Sequence, residues 1–153
     1  MSARSLLAIA TLAMGLLVSH MAPASEPAPV EIAEIASRVA SPRHGELLGL
    51  MRSEAESEIA AIDWKQNRLK RRVRVAASLT KLESTQKGGA LRSQAVVSAA
   101  LLDPRSGALL AMVEGRAESE GKKGAAVLTE RDALSGATRA AIAAIPGAVR
   151  QMK

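Results

Sequence analysis

Along this chain the spacing of apolar residues changes twice, and each change predicts a change of secondary structure. Ile32, Ile35, Ala36 and Val39 recur at steps of three and four, the period of a helix, so a short first helix is expected over Val30 to Ala40. A second helical pattern starts at Ser41. Ser41 suits an N-cap and Pro42 the first helical position, and Leu47, Leu48, Met51, Ala55, Ile59 and Ile62 then line one face. From Leu69 the period becomes two. Val73, Val75, Ala77 and Leu79 alternate with Arg72, Arg74, Ala76, Ser78 and Thr80, as a half-buried strand requires.

The segment ESTQKGG, residues 83–89, reads as a polar loop closed by glycine. LRSQAVVSAALL then predicts a second strand, Asp103 to Gly107 a turn, and Ala108 to about Ser119 a third strand. If Leu102 pairs with Ala108, the register continues as Ala100 with Leu110, Ser98 with Met112 and Val96 with Glu114. The opposite face then carries Ala95, Val97, Ala99 and Leu101 against Leu109, Ala111, Val113 and Gly115, which are small and apolar throughout and suited to a covering layer of helices. After EGKKG, Thr129 and Asp132 resemble a capping box, opening a last helix with Leu134, Ala137, Ala141 and Ile145 that Pro146-Gly147 should end. The expected fold is α+β: a two-layer domain in the order α-α-β-β-β-α, a three-stranded antiparallel meander with helices on one face.

The first residues change the picture of where this domain works. Arg4, an apolar run from Leu6 to Val18 and the small-x-small site Ala22-Pro23-Ala24 have the layout of a secretory signal peptide over residues 1–24. The run is too short for a membrane-spanning helix, which needs about 20 residues, so cleavage near Ala24 is expected rather than a retained anchor. Residues 25–29 read as a disordered leader and 30–153 as one domain. Export places the protein in the periplasm or outside the cell, and no transmembrane segment is expected in the mature chain.

Composition then removes most chemistries. There is no Cys, no Phe and no Tyr, and Trp64 is the one aromatic residue. Disulfides, thiolate nucleophiles and a lipid-attachment cysteine are excluded, and the core must be built from aliphatic side chains and many alanines. The mature chain has one histidine, His44, expected as a solvated helix-start residue rather than a catalytic base. One His without Cys offers no metal site. Glu54 and Glu58 stand one helical turn apart, but they lie on the predicted solvent face with no aromatic platform for a sugar. Two phosphate-loop likenesses also fail: Glu120 stands where a P-loop needs its second glycine, and the GKKG of residues 121–124 joins a strand to a helix, whereas the KH glycine loop joins two helices. No cofactor, no metal and no catalytic residue is expected, and nucleic acid is disfavoured by export and by the missing aromatics.

The remaining signal is charge. Losing Arg4 leaves 20 basic and 15 acidic residues, a net charge of +5, and Lys65, Arg68, Lys70, Arg71, Arg72 and Arg74 fall within ten positions. Such a run attracts anionic lipid or polymer; alternatively it protects a sheet edge from pairing. If Val73 to Leu79 face the helices, Arg72 and Arg74 share the open face with Leu102, Leu110 and Met112. An apolar patch beside arginines on an uncovered sheet is therefore expected to dock an envelope protein or an anionic envelope surface.

The basic strand, the strand–turn–strand LLDPRSGALLAMVEG with its Asp103-x-x-x-Gly107 turn, and the Ala-rich last helix resemble envelope domains of the curli secretion-channel and penicillin-binding-protein-activator type over residues 71–145. The resemblance implies an accessory role in the envelope without catalysis. The lipid-attachment cysteine usual in that group is missing, and its N-terminal βα half is expected to be replaced here by helices.

Overall fold

The computed structural model describes residues 29–67 and 71–152; the expected signal peptide lies outside the described residues, as does all of the leader but Pro29. The elements are β1 (Val30–Ser37), α1 (His44–Ala61), β2 (Val73–Lys87), β3 (Ala90–Leu102), β4 (Leu109–Lys122), α2 (Ala126–Ala143) and α3 (Ile145–Gln151). The strands form one open mixed sheet in the order β1-β2-β3-β4, with β1 parallel to β2 and the other pairs antiparallel. The fold is α+β, and the meander of β2, β3 and β4 carries a fourth strand.

That fourth strand corrects the expected first helix. Val30 and Ile32 pair with Val73 and Val75, and Ile35 and Ser37 with Ala77 and Leu79, with an irregularity between Ile32 and Glu34. The extra residue, Ala33, makes the core-facing positions step 30, 32, 35, so a bulged strand imitates helical spacing. The chain therefore opens with a strand followed by a helix, β1 then α1, where two helices were expected.

The core fills one side of the sheet. Val73, Val75, Ala77, Leu79, Ala95, Val97, Ala99 and Leu101 are each at most 1% exposed, and they join in one cluster with Leu47, Met51, Ala55 and Ile59 of α1 and Ala133, Leu134, Ala137, Ala141 and Ile142 of α2. Both helices therefore cover the same face, as the alternation in β2 and β3 predicts.

Four loop, cap and helix-end assignments shift. Residues 83–87 continue β2, and only Gly88 and Gly89 turn, both at positive φ (59° and 86°), which a tight two-residue hairpin requires. The Ser41 cap is not used: α1 begins at His44 after Arg43, while Ser41 Oγ accepts the Arg43 N–H at 3.2 Å. Thr129 lies inside α2, its hydroxyl donating to the Ala125 carbonyl at 2.8 Å, and Pro146 starts α3, whose Ile145, Pro146 and Val149 are buried.

The β3–β4 register is also corrected. Leu102 pairs with Leu109, then Leu101 with Ala111, Ala100 with Met112 and Ser98 with Glu114. Relative to expectation β4 slides by two residues, which preserves faces along the strand. At the bulge itself it does not: Leu110, the extra residue, packs against the core, and Leu109 takes the position opposite Leu102.

Candidate functional site

The turn joining β3 to β4 is built on Asp103. Its Oδ1 accepts the N–H of Ser106 (2.8 Å), the N–H of Arg105 (2.9 Å) and the Ser106 hydroxyl (3.0 Å), and its backbone N–H and carbonyl bond to Ala108 and Gly107. These bonds hold the Asp103 carboxyl below its ordinary pKa, the Ser106 N–H contributing most and the charge of Arg71 least. Gly107, at φ 71°, completes the turn in a conformation that disfavours side chains.

From this turn the open face runs in rows across the strands. The first row is Glu31, Arg74, Leu102 and Leu109; the second is Glu34, Ala76, Ala100 and Met112; the third is Ala36, Ser78, Ser98 and Glu114. Small side chains thus make the floor, and Met112 (63% exposed) and Leu109 (59%) stand at its β4 side. Arg74 is half-buried among these strands, and its Nε has no hydrogen-bond partner among the described residues.

Farther along the same face charge takes over. Arg92 Nε lies 2.6 Å from Glu118 and 3.0 Å from Glu120, Arg116 Nε 2.6 Å from Glu114, and Lys81 Nζ 3.1 Å from Glu83. The hydrogen bond to Glu120, then the charges of Glu118 and Glu120, hold the Arg92 guanidinium above its ordinary pKa. A concavity of about 340 Å³ lined by Thr85, Lys87, Ala90, Arg92 and Glu120 opens at this far end.

The structure brings together Arg74, Leu102 and Met112 of the expected contact residues. Arg72 is exposed just before β2, Leu110 belongs to the core side, and Leu109 is the residue that sequence reasoning missed on the open face. Only the bulge decides between the two leucines, and a run of two gives no signal of it. Of the basic run, Lys65 is exposed in the turn after α1, Arg71 is exposed before β2, and Arg68 and Lys70 lie outside the described residues. Edge protection does not explain Arg74, because β2 is an interior strand once β1 pairs with it. The charged edge is β4, with Glu114, Arg116, Glu118 and Glu120.

His44 is exposed at the start of α1, and Glu54 lies 3.3 Å from Arg139 Nε across the α1–α2 contact. Among the described residues no group of three metal-ligating side chains forms, and no helix is long and apolar enough to cross a membrane.

No family model and no curated protein matches this sequence. Solved structures do. A candidate lipoprotein from Caulobacter crescentus CB15 is similar with a TM-score of 0.50 at 14% identity, over 82% of this chain and 91% of that one, and shares the fold. The hypothetical protein CT253 from Chlamydia trachomatis gives a TM-score of 0.49 at 12% identity, over 79% and 97% of the two chains. Lipoprotein GNA1162 from Neisseria meningitidis gives 0.42 at 11%, over 67% and 92%.

Proposed function

We propose that this is an exported, non-catalytic accessory protein of the bacterial cell envelope that docks a partner protein through the turn end of its open sheet face. Arg72, Arg74, Leu102, Leu109 and Met112 make the contact. The observation that carries this reading is the exposure of Leu109 and Met112 on a sheet face that the helices leave uncovered, next to an arginine whose Nε has no hydrogen-bond partner among the described residues. The signal-peptide layout and a fold shared with a candidate lipoprotein support the envelope location. The β1-α1 half supports the likeness to curli-channel and penicillin-binding-protein-activator domains.

The test is site-specific photocrosslinking in living cells, with the probe at Met112, at Leu109 or, as a control on the same face, at Glu118. Adducts at Met112 and Leu109 and none at Glu118 are expected, with at least a tenfold reduction by Arg74→Glu. The adduct mass tells a second copy from another protein. Absence of adducts at Met112 in folded protein overturns the reading.

A further inference from the structure

The Gly-Lys-Lys-Gly stretch, unused by the docking face, forms the opposite end of the molecule. β4 runs away from the Asp103 turn and ends at Lys122; Gly124, at φ 95°, turns the chain into α2. Here Val127 (47% exposed) and Leu128 (63%) point away from the core, while Thr129, Ala133 and Leu134 of the same helix are buried. Lys87 and Lys122 flank Ala90 in one row of the sheet, and Lys123 follows in the turn. Among the described residues these three lysines make no ion pair, whereas Lys81, Arg92 and Arg116 are each paired with glutamate. Of the carboxylates nearby, Glu120 is engaged by Arg92 and Glu130 by Arg43 and Ser84, while Asp132, exposed one turn beyond Leu128, makes no ion pair among the described residues. The first turn of α2 carries no acid, and its cap residue, Ala125, supplies no side-chain acceptor.

We propose that this tip, Lys87, Lys122 and Lys123 around Val127 and Leu128, seats on an anionic lipid surface. Two exposed aliphatic side chains at a turn bury far less than the roughly 800 Å² per partner of a stable protein interface. At a bilayer they enter the boundary between headgroups and acyl chains, while the lysine stems reach back to the phosphates. Each lysine near an anionic membrane surface strengthens binding by about fivefold. The concavity beside Lys87 and Arg92 gives a headgroup room next to the row. This contact is independent of the docking face, which lies at the other end of the strands.

The experiment uses the sole native indole as its reference. Trp64 lies between α1 and β2, at the Asp103-turn end, and Leu128→Trp adds a second indole at the tip. The full chain with and without Leu128→Trp is titrated with vesicles of brominated phosphatidylglycerol. Quenching beyond that of the wild type is expected for Leu128→Trp. Lys122→Glu with Lys123→Glu in the same background should raise the lipid concentration for half-quenching at least tenfold, with the thermal midpoint unchanged. Equal quenching of the two proteins, or quenching unaffected by the lysine reversals, overturns the proposal. Quenching of Trp64 alone overturns it too and moves the membrane contact to the other end.

Discussion

Gly115 of β4 lies directly beneath Ala137 of α2: a Cβ added at Gly115 would stand 2.0 Å from the Ala137 carbonyl oxygen and 2.3 Å from the Ala141 nitrogen. Gly136 repeats the arrangement from the helix side, where a Cβ would meet that of Ala117 at 2.8 Å. With no Phe or Tyr to fill space, the core gains its density by bringing helix backbone onto strand backbone through small residues.

Gly115→Ala should therefore destabilise the fold by about 3 kcal/mol, since the atoms it strikes are backbone and cannot swing aside. Gly49→Ala, in α1 with nothing within 4 Å of its added Cβ, should stabilise by up to about 1 kcal/mol through helix propensity. Urea unfolding of the two variants measures both. Equal midpoints would show that α2 does not sit on β4 at Gly115.

The Asp103 turn makes stability depend on acid. A carboxyl whose pKa is lowered in the folded state stabilises it above the ordinary carboxylate value, and that contribution is lost as pH falls through the folded pKa. The melting-temperature difference between wild type and Asp103→Asn should be level at neutral pH and shrink below about pH 4. A difference that is constant down to pH 2 would remove the charged hydrogen bonds from the account.

Glu130 ties three elements together. It receives Ser84 Oγ of β2 at 3.0 Å and pairs with Arg43 before α1, whose Nη1 is buried with no hydrogen-bond partner among the described residues and lies 4.0 Å from Glu46. Glu130→Ala should cost about 1–3 kcal/mol, because it removes the hydrogen-bonded partner of a half-buried guanidinium and leaves it only the looser contact with Glu46. Arg43→Met combined with Glu130→Leu should recover most of that loss by thermal denaturation; a loss in the double variant equal to the sum of the single losses would show that the pair is not coupled.

Much of this fold was legible in the sequence because it depends on period alone. The buried face of α1, the inward residues of β2 and β3 and the Asp103 turn follow from neighbours a few positions apart. The errors share a cause: each depends on a residue's partner rather than its neighbours. Ala33 and the Leu109–Leu110 step sit at bulges, where one extra residue resets the alternation, and the strand formed by residues 83–87 is polar because it extends to the tip of the hairpin, where its side chains are exposed.

The sequence by itself determined the α+β class, an aliphatic and alanine-built core, and the absence of thiol, phenol and disulfide chemistry, since composition and local spacing carry these directly. Tertiary structure alone decided that β1 joins the sheet beside β2, that β2 is interior, and that Leu109 rather than Leu110 faces outward. Backbone hydrogen bonding between distant segments selects the register, and the register, residue by residue, sets which side chains meet the helices and which remain on the open face.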